Sequence, residues 1–332
     1  MILANEEAAG FSHQSFALVL PATIVSYAAG LKIKDYVKSG SYPTATILFK
    51  GTVVGDLFSP AIFYYSSRGP NKQTLEILKP DIIGPGENIL AAWTPLGPPD
   101  NSGLIYKIFS GTSMSCPHLS GIAALMKSAH PNWSPAAIKS AIMTTTDLVN
   151  AQSRPVLDEN LNPADILAVG AGHVNPSRAI DPGLVYDIEM EDYNAYICGL
   201  GYTKEQVEII TQDPTVNCTT RIEQGQLNYP TFSVLLGPST TFSSTVTNVG
   251  ERVASYFVKI FTPQFVDIVV KPRKLHFTRL NQKATYRMTF SWSNSRIIWS
   301  NSSMFTQGFL LWKSAKHTVK SVIIVKLTRP VH

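Results

Sequence analysis

The 332-residue chain is 44% hydrophobic and 15% charged, a composition that supports two or three folded domains and excludes long disordered tails. Its formal charge is +5, but Lys and Arg are spread along the chain without a dense run or a nucleic-acid motif, so the charge reads as a solvated basic surface. Met1–Glu7 lacks the basic and apolar regions of a signal peptide, and the apolar stretch Phe16–Leu31 is broken by Pro21, Ser26 and Gly30 and is too short to span a bilayer.

In chain order, the short apolar run Phe16–Leu20 is followed by a helix-like segment Gly30–Ser39 and a strand-like Thr44–Phe49. Ser66–Pro70 is rich in turn residues, and Pro80–Gly86 followed by Asn88–Ala92 reads as buried strands with tight turns. An apolar helix carrying Leu119, Ile122, Ala123, Leu125, Met126 and Ala129 comes next, with Pro117 placed in its first turn. A second helix opens with Ser134 as N-cap and Pro135 at the first position, and presents Ile138, Ala141, Ile142 and Thr145 on one side. Residues 191–227 form a linker rich in polar and turn residues. Seven strands follow: Phe242–Val249, Ala254–Phe261, Val266–Val270, Lys274–Phe277, Ala284–Trp292, Gly308–Trp312 and Thr318–Leu327. This pattern predicts a β-sandwich whose aromatic residues are core rather than ligand contacts.

The chemistry concentrates in Ser110-Gly111-Thr112-Ser113-Met114-Ser115-Cys116-Pro117-His118-Leu119-Ser120-Gly121. A Gly turn there delivers Ser113 to a helix N-terminus, where unpaired N–H groups and the positive dipole end favour negative charge beside an attacking hydroxyl. Ser113 is the candidate nucleophile, and its own N–H a candidate oxyanion donor. His118 lies five residues along the helix, roughly 140° around and about 7.5 Å up the axis, so it reads as a packing histidine rather than the base. The Gly111–Ser115 stretch lacks the second glycine of a G-x-S-x-G elbow, which argues against a lipase or esterase. With three cysteines, one stays unpaired; Cys116 reads as a small buried hydrophobe rather than a second nucleophile.

The Gly111–His118 motif and Ser128–Ser140 resemble the nucleophile region of plant subtilisin-like serine proteases, and Ser66–Asn71, Leu78–Ile83, Gly170–Pro176 and Asp181–Asp187 resemble other segments of that family. The resemblance implies the C-terminal part of an α/β subtilisin-like three-layer core at 51–190, a partial protease-associated domain at 1–50 and a fibronectin type III-like β-sandwich at 228–332. It further implies a secreted, extracellular or cell-wall serine endopeptidase that acts on proteins or peptides, with no cofactor, metal, nucleic acid or membrane. A homodimer through a complete protease-associated domain is a further expectation, and a basic surface would suit an acidic polysaccharide matrix. The family also marks Cys198 and Cys218, which implies a disulfide, and Asn217 and Asn301 head sequons more credible than the one at Asn132.

Subtilisin-type triads run Asp, His, Ser, and the Asp and His motifs, with the oxyanion asparagine, have no counterpart in this sequence. His13, His130 and His173 fall in stretches that match non-catalytic parts of the family. Loss of the triad His costs on the order of 10⁶ in turnover, so the chain is expected to be a fragment inert alone, with a non-catalytic binding or regulatory module as the alternative. Three departures from the family stand out: bulky Phe63-Tyr64-Tyr65, expected to overpack a core by ~1–3 kcal/mol, Gly84 for alanine and Leu119 for valine.

Overall fold

The computed structural model describes residues 1–12, 20–49, 51, 55–94, 105–293 and 303–328, which divide into two compact units. His13, Phe16–Val19 and Asn301 lie outside the described residues.

The first unit comprises residues 1–67, 83–121 and 148–169. Strand β1 (Ile2–Ala4) pairs in parallel with β2 (Thr23–Val25). Helix α1 (Tyr27–Ser39) starts where the Ser26 hydroxyl accepts the Ala29 N–H at 3.3 Å. Thr44–Phe49 is not a strand: Leu48 and Phe49 are 71% and 91% exposed, and β propensity without a partner ladder does not hold an extended segment. These elements do not show a protease-associated domain. Strands β3 (Ile89–Ala92) and β4 (Tyr106–Phe109) form an antiparallel ribbon with Leu90 opposite Ile108, both mostly exposed, so the expectation of buried strands there is also corrected. A two-stranded ribbon has no second layer to cover its side chains. The unit's small core gathers Ile62, Val156, Ala168 and Val169, with Ile83, Leu148 and Ala164 against it.

Helix α2 (Thr112–Ala129) begins in this unit and runs past Gly121 into the residues of the other. No helix of the described residues is long and apolar enough to cross a membrane. The layered core expected for 51–190 is not assembled among the described residues, whose strands in that stretch are β3, β4 and the three-residue β5 (Leu184–Tyr186).

The second unit comprises residues 68–82, 122–147 and 170–332. Helix α3 (Pro135–Thr144) has the cap that the sequence predicts, the Ser134 hydroxyl accepting the Ala137 N–H at 2.9 Å with Pro135 at the first position. Ala137 and Ala141 pack on Val185 of β5, and the Ser140 hydroxyl accepts the Tyr186 N–H at 2.8 Å. The stretch expected as a linker holds helices α4 (Met190–Gly199) and α5 (Lys204–Thr211), the latter opened by a reciprocal Thr203–Gln206 capping box. Cys198 and Cys218 form a disulfide with Cα atoms 5.5 Å apart, closing a loop that contributes about 3 kcal/mol by restraining the unfolded chain.

The sandwich adds β6 (Phe232–Leu235), β7 (Ser239–Asn248), β8 (Ala254–Phe261), β9 (Val266–Lys271), β10 (Lys274–Phe277), β11 (Lys283–Trp292), β12 (Ser303–Lys313) and β13 (Thr318–Thr328). One sheet has the order β10-β8-β12-β13-β6 and the other β5-β7-β11-β9. The seven predicted strands are present; β5 and β6 are additions that the sequence reading did not mark. Alternate residues point inward, so Tyr286, Met288 and Phe290 of β11 meet Tyr256, Phe277, Leu310 and Trp312 in a closed core. Deep in it the Tyr186 hydroxyl lies 2.7 Å from that of Tyr286 and 2.9 Å from the Ser321 hydroxyl.

Lys320 of β13 donates to the Thr146 carbonyl at 2.9 Å, beside Arg178, which donates to the Thr145 carbonyl and pairs with Asp147. Burial, and then the Arg178 charge, push the Lys320 amine down to about 7, with Asp147 offsetting part of the effect. A folded value below the unfolded one makes stability rise with pH from about 7 towards 10, because the unfolded chain holds the extra proton. Lys320→Met is therefore expected to raise stability by on the order of 1–2 kcal/mol at pH 6–7, with the gain shrinking towards pH 10 in urea unfolding.

Candidate active site

The segment around Ser113 is built by the first unit. Ser110 and Gly111 follow β4 directly, and the Gly111 N–H donates to the Gly86 carbonyl at 2.8 Å. Gly111 takes φ 154°, a value that residues with a Cβ rarely adopt. The Met114 and Ser115 amides turn back to the Gly111 carbonyl at 2.9 and 3.4 Å, which opens α2. Ser113 sits in this first turn, exposed, where an N–H has no intrahelical acceptor and the helix dipole is positive. The Ser115 hydroxyl donates to the Gly84 carbonyl at 2.9 Å and pins the turn from below. Two of the noted departures compensate one another here: a Cβ on Gly84 would lie 3.1 Å from Leu119 Cδ2, so the smaller residue makes room for the larger.

Pro117 lies in the second turn of α2, not the first, and with no N–H it cannot bond the carbonyl of Ser113 four residues before it. Cys116, expected to be buried, is an exposed free thiol.

Among the described residues no side chain hydrogen-bonds the Ser113 hydroxyl. His118 Nδ1 donates to the Met114 carbonyl at 3.1 Å, which ties its ring to its own helix. His130 Nε2 bonds the Ile180 carbonyl at 2.8 Å and its ring stacks on Trp133. Burial pushes the His173 imidazole below its ordinary value, and its backbone bonds Asp147. No cluster of three His, Cys, Asp or Glu side chains that could hold a metal occurs among the described residues. Asn217 is exposed beside the Cys198–Cys218 bridge, and Asn132 is exposed between α2 and α3.

One carboxylate beside the Ser110–Ser113 turn escaped the sequence reading. Ser110 Oγ donates to Glu87 Oε1 at 2.8 Å and accepts the Asn88 N–H at 2.9 Å, while the Tyr65 hydroxyl donates to the other Glu87 oxygen. Burial raises the Glu87 carboxyl above its ordinary value, against the two hydroxyl bonds. The bulky Phe63-Tyr64-Tyr65 triplet therefore does not overpack a core; it forms a turn whose rings contact one another at 4.9–5.8 Å and whose last member serves Glu87.

The second unit holds a larger cluster that was equally unforeseen. Asp81 Oδ2 meets Lys79 Nζ at 2.7 Å and Lys139 Nζ at 2.8 Å, and its other oxygen accepts the Tyr229 hydroxyl. Lys139 Nζ also lies 4.9 Å from the Tyr229 ring centroid. Burial pushes the Asp81 carboxyl up, but the two ammonium groups and the tyrosine outweigh it and hold it below its usual value. Burial lowers the Lys139 amine.

Residues 23–172 match the subtilase family and residues 226–325 a fibronectin type-III domain. Over the full chain the sequence is 41% identical to the Arabidopsis thaliana subtilisin-like protease SBT1.5, covering 45% of that protein. The chain belongs to the subtilase family. It is 43% identical to subtilisin-like protease SBT1.7 over 99% of its own length and 44% of that relative, and 41% identical to SBT1.2 over 97% and 43%, both from the same plant. It thus spans less than half the length of these subtilases. Among solved structures, the E. coli chaperone DraB aligns with 29% of this chain and 51% of its own at a TM-score of 0.22 and 14% identity, too slight a likeness to argue from.

In this subtilase chain the two carboxylates carry opposite pH signatures. Asp81, held low, contributes stability that is present above about pH 3.8 and is lost as pH falls through its folded value. Asp81→Asn is expected to cost about 3 kcal/mol at pH 7, with the gap to wild type closing below pH 3.8 in urea titrations. Glu87, held high, costs stability as pH rises through its folded value, so Glu87→Gln should equal or exceed wild type at pH 7 and lose that margin below about pH 4.5.

Proposed function

We propose that this chain supplies the nucleophile part of a subtilisin-like serine endopeptidase. In that reading Ser113 Oγ attacks a peptide carbonyl and its proton passes to a histidine on polypeptide outside this sequence. The Ser113 N–H helps hold the oxyanion, the amine product leaves with the transferred proton, and water then hydrolyses the acyl-enzyme. The partner segment would carry the Asp, the His and the oxyanion asparagine. The protein would act outside the cell, with glycans at Asn217 and Asn301.

The observation that carries the reading is helix α2 itself. Lys127 is the one charged residue in its 18, yet Met126 is its one buried residue and Leu125 is 63% exposed. The run Gly121–Met126 in this helix carries no polar side chain, and a six-residue apolar run reaches every side of a helix, so this part of α2 calls for a covering segment of polypeptide. Sequence similarity to relatives more than twice as long supports such a segment. The second reading, a non-catalytic binding module, draws on the absence of a base for Ser113 among the described residues and on the closed sandwich core.

Fluorophosphonate labelling separates the two. The 332-residue chain alone is expected to label at or near the background set by Ser113→Ala. Mixing it with a polypeptide carrying the Asp and His segments of a subtilase domain should raise labelling by several orders of magnitude, given the roughly 10⁶ cost of lacking the base. Binding of the two pieces without labelling would reject the catalytic reading and leave the binding module.

A further inference from the structure

The +5 net charge conceals a division. Residues 228–332 hold 14 Lys and Arg against two acidic residues, Glu251 and Asp267, whereas residues 1–227 hold 14 Lys and Arg against 21 Asp and Glu. Per residue the sandwich is about twice as rich in cations as the rest of the chain, and it is nearly devoid of carboxylates.

The register of the five-stranded sheet places part of this charge on one face. On β8, Phe257, Lys259 and Phe261 alternate with inward-facing Tyr256, Val258 and Ile260. Phe257 lies between Lys274 of β10 and Lys313 of β12, and Lys259 lies opposite Leu311. Phe261 lies opposite Phe309, at 6.5 Å between ring centroids. Phe257 and Phe261 are 56% and 45% exposed, and all three lysines are exposed. Lys274 Nζ is 5.4 Å from the Phe257 ring centroid and Lys259 Nζ 4.8 Å from that of Phe261. Neither acid of the sandwich is on this face, since Asp267 belongs to β9 of the other sheet and Glu251 to the turn before β8. Lys283 and Lys316, by contrast, are paired with Glu189 and Asp181.

We propose that this face binds a carboxylated polysaccharide. Exposed rings beside uncompensated ammonium groups complement a polymer that repeats apolar sugar-ring faces and carboxylates. The rings take the sugar faces by apolar contact and the lysines take the carboxylates by charge-assisted hydrogen bonds. Adjacent strands are about 4.8 Å apart and alternate residues about 6.7 Å, so the three ammonium groups form a site a few sugar residues long. The Cys198–Cys218 disulfide points to an oxidising compartment, where nucleic acid is not the prevailing polyanion. The proposal is independent of whether Ser113 is catalytic.

The test uses the full chain and immobilised polygalacturonate, with fully methyl-esterified polymer as the uncharged control. Retention is expected on the acidic polymer, with little on the ester and a progressive loss as salt rises. The triple variant Lys259→Gln, Lys274→Gln, Lys313→Gln should bind about ten-fold more weakly, since each exposed charge contact is individually modest. Lys283→Gln, which alters a paired lysine on the other sheet, should bind as wild type. Phe257→Ala should weaken binding without changing the charge. If the triple variant lacks a cooperative thermal transition, Lys259→Gln alone decides, with about a two-fold loss expected. No retention, retention of the triple variant (or, where it does not fold, of Lys259→Gln) equal to wild type, or tighter binding to anionic vesicles or single-stranded DNA would overturn the proposal.

Discussion

The larger unit depends on one carboxylate placed between two ammonium groups. Lys79 and Lys139 both reach Asp81 Oδ2, an arrangement that would leave surplus positive charge in a partly desolvated place. Tyr229 resolves this by presenting its ring to both lysines while its hydroxyl donates to the second Asp81 oxygen. The cluster joins the Leu78–Ile82 segment, helix α3 and the residues leading into the sandwich. From α3 the connection continues through Ala137 and Ala141 to Val185, whose strand β5 is the edge of the four-stranded sheet. The fibronectin match begins at residue 226, but the sandwich begins physically at residue 184. With Tyr186 bonded inside its core, the sandwich is continuous with the subtilase segment rather than appended to it.

The turn that carries the candidate nucleophile Ser113 obeys a different constraint. It is held by backbone and hydroxyl contacts confined to its own unit: Gly86 to Gly111, Ser115 to Gly84, and Ser110 to Glu87. None of them needs a catalytic base to be present, so Ser113 is presented whether or not anything is there to activate it. Pro117 sharpens the point, because it removes the donor that an ordinary helix would aim at the Ser113 carbonyl. Presentation and activation are therefore separable properties in this chain. The first is local, and the second would come, in the proposed reading, from further polypeptide.

What was legible in the sequence divides along the same line. The Ser134 cap, the Gly-to-helix step at Ser113 and the seven alternating strands are set within a few residues, and they stand in the structure where the sequence places them. Glu87 and Asp81 were not legible as partners because their contacts come from Tyr65 and Ser110 in one case and from Tyr229, 148 residues away, in the other. The apolar Thr44–Phe49 failed for the converse reason, having propensity but no ladder. Helices α4 and α5 hid in a polar stretch, although Thr203 followed by Gln206 was a readable capping box.

The uneven distribution of carboxylates has a cause that can be traced bond by bond. Within residues 1–227, Asp56, Asp158, Asp165 and Asp213 accept backbone N–H groups and so shape turns and helix starts. In the sandwich the same work is done by neutral acceptors. Asn248 takes the Gly250 N–H, Gln282 the Thr278 N–H and Ser314 the His317 N–H. Aspartate would serve at such turns just as well, since all of these side chains offer an oxygen to a nearby amide. The fold therefore does not require an acid-poor sandwich. Because its turns are built from neutral groups, the lysines on the β10-β8-β12 face have no built-in counter-charge, and their field is directed outward to whatever anion approaches.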